Sequence, residues 1–271
     1  MTAKRISGTK EWSVESVNCL SGCSHDCRYC YARADALWFG RIKSAAEWSR
    51  PVLREKEVTR RRRKVKGPVM FPTTHDITPE FLEPCLEVIR NILEAGNRLL
   101  IVSKPHFDCI EAIVRETWRY QEQILFRFTI GAMDDELLGY WEPGAPTFQE
   151  RLEALQVAWA AAYETSVSCE PLLDSHCVQA LVAKLAPCGP KSSAAPHYIT
   201  DTIWIGKMNQ VRARCVAGTS QQAIRWIEAG QTDRRVREIY EALKDHPKVR
   251  WKDSYKRVLG LQEATAAGQD V

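Results

Sequence analysis

The sequence predicts an α/β fold, a partial (β/α)6 TIM-like barrel. Three observations predict it. Short apolar runs alternate with amphipathic stretches along most of the chain, the pattern of repeated strand–helix units around a parallel sheet. Those runs end in polar residues and carry few elsewhere, as expected where chemistry gathers at the carboxyl ends of parallel strands. The length, 271 residues, suits one α/β unit with its own core. Six legible units make a partial barrel fit better than a closed eight-stranded one. An open doubly wound sheet is the competing architecture.

The elements follow in order. Residues 14–20 supply a first strand, directly ahead of a cysteine-rich loop. "PVMFPTT" (68–74) reads as a buried strand. "TPEFLEPCLEVIRNILEAG" (78–96) reads as a helix in which Thr78 caps the start, Pro79 fits the first turn and Gly96 stops it. Leu82, Leu86, Ile89 and Leu93 recur at three and four residues and give that helix one apolar face. "RLLIVSKP" (98–105) is the next strand, followed by a helix near 107–120 and the strand "ILFRFTIGA" (124–132). "TFQERLEALQVAWAAAY" (147–163) is a helix, "ETSVSCEPLL" (164–173) a strand, and 175–186 a further helix. "DTIWIGKMN" (201–209) is a strand before helical patterns at 219–229 and 233–245. "KVRWKDSYKRV" (248–258) reads as a short strand and helix sealing the open edge of the barrel. Its alternative role is closure over the barrel mouth, with Trp251, Lys252 or Lys256 touching substrate. The expected organisation is one domain over 1–271, with the core at 14–230 and a segment at 231–271 closing or capping the barrel.

The strand ends carry Thr73, Thr74, His75 and Asp76; Ser103 and Lys104; Thr129; Ser168 and Glu170; and Lys207 and Asn209. Such a concentration points to one shared site. Charged residues are 27% and hydrophobic ones 45%, ordinary for a globular protein. No apolar run of about 18 residues occurs, which argues against a membrane span, and "MTAKRISGTKEW" lacks the apolar core of a signal peptide. The expectation is a cytoplasmic protein with reduced thiols. Ten cysteines then read as a metal site plus several buried small hydrophobes. The net charge of +4 permits a polyanionic partner without requiring one.

"GCSHDCRYCYA" places Cys23, Cys27 and Cys30 in a C-x3-C-x2-C array. Three thiolates on one short loop suit three corners of a cubane iron–sulfur cluster, whose fourth iron then keeps an open position. Tyr29 adds an aromatic wall. The alternative is a zinc knuckle completed by His25 or Cys19. Structural zinc prefers two spaced ligand pairs, and no second C-x2-C or H-x3-H pair follows.

The same stretch resembles the cluster loop of the radical S-adenosylmethionine (radical SAM) superfamily. With "TTHDI", "RLLIVSKPH", "FRFTIGA" and "WEPGAPTFQERLEAL", the chain is similar, over residues 18 to about 175, to the spore photoproduct lyase-like branch, often labelled DNA repair photolyase. The resemblance implies a [4Fe-4S] cluster held by Cys23, Cys27 and Cys30, and S-adenosyl-L-methionine as cofactor. It implies cleavage of that cofactor to a 5′-deoxyadenosyl radical that abstracts hydrogen from substrate, most often a nucleic-acid base. An external electron donor of the flavodoxin or ferredoxin type would supply the electron. Radical modification of a small molecule or peptide is the alternative within the same chemistry. A non-catalytic iron–sulfur or zinc module is the alternative outside it.

Carried onto this sequence, Lys104 matches the lysine that holds the methionine carboxylate, and Thr129 matches a serine contacting the same cofactor. Tyr29 and Tyr31 match tyrosines beside the cluster, one linked to hydrogen-atom relay, and Asp76 matches an acidic strand-end residue. Ser103, Thr74, His75, Ser168 and Glu170 join them as candidate cofactor contacts, with His75 also a candidate acid and Glu170 also a candidate substrate contact. Two positions depart from the lyase. Thr73 stands where the lyase has its hydrogen-donating cysteine, and a threonine O–H is too strong a bond for that task. Glu170 stands where the lyase is apolar. Both point to a substrate other than the spore photoproduct.

The remaining features read as structural. Cys19, Cys85, Cys109, Cys177 and Cys188 are core or surface thiols. Cys169 alternates with Ser168 and Glu170 and so faces the helices. The basic run "REKEVTRRRRKVKGPV" (54–69) is a solvated connecting face in preference to a nucleic-acid surface. Trp204 and Trp226 are packing residues.

Overall fold

The strands of the computed structural model, which describes residues 6–186 and 200–270, are β1 (Glu15–Ser16), β2 (Leu20–Ser21), β3 (Val52–Leu53), β4 (Val69–Phe71), β5 (Leu99–Ser103), β6 (Ile124–Thr129), β7 (Glu164–Cys169), β8 (Thr202–Ile205) and β9 (Val249–Trp251). Seven of them form one sheet in the order β1-β4-β5-β6-β7-β8-β9. Every neighbouring pair in it is parallel. β2 and β3 make a separate antiparallel pair. This is the mixed α/β, partial-barrel architecture the sequence predicts. The seventh strand is β9, the sealing strand expected from 248–258.

Alternation along the strands divides two apolar layers. Val69, Phe71, Leu99, Ile101, Phe126, Phe128, Val167, Cys169, Ile203 and Ile205 face outward into the main core with the helices. Met70, Leu100 and Trp204 face inward and pack with Trp12 in a cluster of their own. Strands buried on both faces read as continuous apolar runs, as β5 does. In the helix Leu82–Glu94, Leu86, Ile89 and Leu93 are buried as predicted, and Leu82 is half-buried. Gly96, at φ +77°, ends it. The expected Thr78 cap is corrected. Residues Pro79–Phe81 form a 3-10 turn ahead of the helix, and the Thr78 side chain makes no capping bond.

The two sheet edges, β1 and β9, are joined by side chains in place of strand pairing. A turn at Gly8–Glu11 precedes β1. The buried Lys252, just after β9, reaches its Gly8 carbonyl (3.2 Å) and the Glu11 carboxylate (3.2 Å). The Asp253 amide donates to Glu11 Oε2 at 3.2 Å. The tail adds backbone bonds from Gly268 N to Lys10 O and from Asp270 N to Glu11 O, both 2.9 Å. Trp12 enters the barrel interior beside Trp204 at 5.9 Å, and Arg127 stacks on both rings. No described helix is long and apolar enough to cross a membrane.

Candidate functional site

The loops at the carboxyl ends of the parallel strands surround a cavity of about 700 Å³. Cys23, Cys27 and Cys30 form part of its wall, together with Tyr29 and Tyr31 from the same loop. Thr73, Thr74, His75 and Asp76 come from the end of β4, Lys104 from β5, Thr129 from β6, and Ser168 and Glu170 from β7. Of the predicted strand-end residues, Ser103 stands behind the wall. Its hydroxyl donates to Asp76 Oδ1 at 3.0 Å and accepts from the Ile77 amide.

The cysteine loop is held by its own polar groups. Arg33, buried on the helix Tyr31–Trp38, donates to the Cys27 carbonyl and to Asp26, both at 2.6 Å. Asp26 takes a left-handed φ of +48° at the turn. Cys30 caps the helix, its sulfur accepting from the Arg33 amide at 3.4 Å. The Cys23 sulfur accepts from the Asp76 amide at 3.4 Å. Cys23 and Cys27 are buried and Cys30 half-buried. Burial pushes the Cys23 thiol up to about 12, with the nearby Asp76 charge adding to it. Burial likewise raises Cys27 and Cys30. Thiolates here need a compensating cation, which is what a bound metal centre supplies.

Asp76 is the hub of the site. Its Oδ1 accepts from the Lys104 amide at 2.7 Å as well as from Ser103, and its Oδ2 meets His25 Nδ1 at 2.9 Å and Lys104 Nζ at 3.4 Å. Burial opposes the carboxylate, but Lys104 and His25 outweigh it and hold its pKa well below the ordinary value. Burial opposes the Lys104 charge in the same way, and Asp76 leads the groups that keep it raised. His25 Nε2 meets His106 Nε2 at 2.9 Å, and His106 Nδ1 meets Glu150 at 3.4 Å.

The ligand atoms of Cys23, His25 and Asp76 lie within 4.8 Å of one another, a spacing that suits a single ion. Yet both ring nitrogens of His25 and both Asp76 oxygens already have protein partners. Cys19 is also engaged, its sulfur 3.8 Å from that of Cys85 and 3.9 Å from His75 Nε2. The three cysteines of the loop all line the cavity, a donor set that fits a cluster with three protein ligands.

Comparison with known proteins adds the fold. No family model matches the chain, and no curated protein sequence matches it. Among solved structures it is similar to a tyrosine-to-phenylalanine variant of spore photoproduct lyase, with a TM-score of 0.51 and 16% identity over 92% of this chain and 79% of that one. A cysteine-to-alanine variant of the lyase gives the same values. A complex of such a variant with dinucleoside spore photoproduct aligns at a TM-score of 0.48 and 18% identity over 84% of this chain. The chain has the fold of spore photoproduct lyase. It spans 63% of the length of the lyase chain in that complex.

On this fold, several residues that sequence reasoning passed over hold the predicted ones in place. The Tyr29 hydroxyl donates to Glu142. Glu142 pairs with Arg151 at 2.6 Å, both fully buried. Arg151 also donates to the carbonyls of Thr129 (3.1 Å) and Pro146 (2.9 Å). Burial opposes the Glu142 carboxylate, but Arg151 and then Lys104 hold its pKa below the ordinary value. A signal was present in the sequence. Arg151 shares a helical face with Leu155 and Ala158, both buried, and a charge on an apolar face calls for a partner. Asn18 is a second case. Its Oδ1 accepts from the Thr73 and Thr74 amides at 2.7 and 2.8 Å, and its Nδ2 donates to the Thr73 hydroxyl at 2.7 Å.

Other predicted residues take defined places. Tyr31 donates to the Thr73 carbonyl at 2.5 Å. His75 lines the cavity, but its ring meets the Cys19 amide and the Asp76 carbonyl, so it braces main chain. Glu170 meets Lys252 Nζ at 3.4 Å, and its pKa is raised chiefly by burial. Cys169 lies in the outer core, as its alternation predicts. Cys85 and Cys109 are buried and Cys177 exposed, while Cys188 lies outside the described residues. Most of the side chains at 59–66 are exposed, as a solvated connection requires. Trp204 packs inside the barrel, but Trp226 is corrected: it is 47% exposed, against the His176 ring.

Proposed function

We propose that this chain is a radical SAM enzyme. In this reading Cys23, Cys27 and Cys30 hold a [4Fe-4S] cluster, and Lys104 and Thr129 bind S-adenosylmethionine beside it. The substrate is a nucleic-acid base that is repaired or modified by hydrogen abstraction. An external flavodoxin- or ferredoxin-like protein is the electron donor. The observation that carries the reading is the placement of three loop thiols, two buried and one half-buried, and the Asp76-anchored Lys104 on the walls of one cavity.

When bound, cluster and cofactor together supply one-electron chemistry ending in hydrogen abstraction. The protein's own groups do the rest. Burial of Cys23 and Cys27 limits the access of bulk water to their sulfurs. Asp76 holds Lys104 through both main chain and side chain, and an ammonium has further N–H donors for a carboxylate. Ser103, His25 and Asn18 keep Asp76 and the 73–76 loop in register. Tyr29, fixed by Glu142, and Tyr31, fixed by Thr73, wall the cavity between the cysteine loop and Lys104. Thr74, His75, Ser168 and Glu170 complete that wall around the cofactor.

Anaerobic reconstitution tests the reading. About four irons per chain are expected, the content of one cubane. Cys23→Ala, Cys27→Ala or Cys30→Ala should each abolish the cluster. Lys104→Ala should keep the iron and weaken S-adenosylmethionine binding about 10- to 150-fold, the worth of one charge-assisted bond. Stoichiometric zinc without iron, or unchanged cofactor affinity in Lys104→Ala, overturns the corresponding assignment.

A further inference from the structure

The cations on the cavity wall are not alike. Lys104 is paired with Asp76, Lys207 with Asp233, and Arg257 with Asp253. Lys10 lines the cavity as an exposed side chain, and Arg214 lines it half-buried. Among the described residues the Arg214 side chain makes no hydrogen bond or ion pair, although its charge acts on the Glu170 carboxylate of the same cavity. Its guanidinium lies over the Tyr31 ring, 5.8 Å from the centre. That contact leaves its N–H groups free to donate elsewhere. The geometry of a guanidinium matches a phosphate through two parallel bonds. Asn209 and Gln210, on the same loop after β8, bring amide donors to the same wall.

The position is informative too. Tyr31 directly follows the third cysteine of the loop. Lys104, the residue suited to the cofactor carboxylate, comes from a different strand. An anion at Arg214 would therefore sit beside the cysteine loop without competing for Lys104.

We propose that Arg214, with Asn209 and Gln210 beside it, is a phosphate subsite that seats a phosphodiester of the substrate next to the cluster loop. This rests on reading the cavity as a site for a nucleic-acid substrate. Tyr31 is the platform that orients the guanidinium. The Arg214 side chain holds up no other described group by hydrogen bonding, so its removal leaves the fold's polar network intact.

The experiment uses the reconstituted full chain with two probes, a thymidine dinucleotide and its uncharged methylphosphonate analogue. Wild type should bind the phosphodiester at least about tenfold more tightly, as one charge-assisted fork predicts. Arg214→Ala should bind both probes at the methylphosphonate level, and Arg214→Lys should recover part of the preference. The affinity for S-adenosylmethionine should not change. Equal binding of the two probes by wild type, a preference that survives in Arg214→Ala, or a parallel loss of cofactor affinity overturns the subsite and leaves the nucleic-acid reading standing. If neither dinucleotide binds but inorganic phosphate binds wild type and not Arg214→Ala, the nucleic-acid reading fails and the subsite stands. Absence of phosphate binding as well removes both.

Discussion

Arg151→Met removes the cation from a sealed ion pair, and its cost follows from the partners. The Arg151 side chain is 0% exposed, and so is that of Glu142. The substitution keeps much of the volume but deletes the 2.6 Å bond to Glu142 and the bonds to the carbonyls of Thr129 and Pro146. Glu142 would remain buried, with the Tyr29 hydroxyl and the more distant Lys104 charge as compensation. Breaking one side of such a pair costs about 3–5 kcal/mol. At roughly 2–4 °C per kcal/mol for a chain of this size, Tm should fall by roughly 6–20 °C. The pH dependence has a definite sign. Because the folded pKa of Glu142 lies below the ordinary 4.5, its contribution in wild type is present above that value and lost as pH falls through the folded one. In the variant burial raises the pKa of the lone carboxylate, so the gap to wild type should start to narrow at a pH above the ordinary 4.5 and go on narrowing as pH falls through it. Thermal melts followed by circular dichroism at neutral and acid pH measure this directly. Arg151→Met with Glu142→Gln should lose less than the sum of the two single changes. A fall in Tm under about 3 °C, or strict additivity in the double variant, would refute the reasoning.

Arg127→Met should have the opposite effect. Arg127 is fully buried, its two terminal nitrogens have no partner among the described residues, and burial lowers its pKa to about 9. A base with a lowered folded pKa destabilises the fold below that pKa, and the penalty eases as pH rises from about 9 toward 12.5. Stacking on Trp12 and Trp204 offsets part of it, so the variant should melt a few degrees higher at pH 7; a lower Tm would show that the stacking outweighs the buried charge. Thr73 sets the third expectation. The wild-type enzyme should form 5′-deoxyadenosine but recover little thymine from a dinucleotide spore photoproduct, and Thr73→Cys should raise the yield. Repeated clean conversion by wild type would place the chain among true lyases.

Local patterns carried much of the fold and of the cavity wall into the sequence. The two-residue alternation of 166–170 placed Ser168 and Glu170 inward and Cys169 outward. The cysteine spacing lies on one loop and needs no tertiary knowledge. What stayed hidden depends on contacts between distant residues. Asn18 acts on Thr73 across 55 positions, and no local periodicity marks it. Glu142 is legible as a charge but not as the acceptor for Tyr29, 113 positions earlier. Ser103 and His75 were correctly seen at strand ends, but end position does not say whether a side chain faces the cavity or braces its wall. Thr78 had the right residue type for a cap, and the 3-10 turn after it removed the geometry.

The contact between the Gly8–Glu11 turn and the end of β9 joins residues 242 positions apart. During synthesis this has an order. While a nascent chain is still short of Lys252, the turn has nothing to lock against, and the barrel stands open along one side. The cysteine loop, made early, is then complete well before the strand that ends the sheet. Closure of the sheet edge thus comes last, once Lys252 reaches Glu11 and the Gly268 amide meets the Lys10 carbonyl.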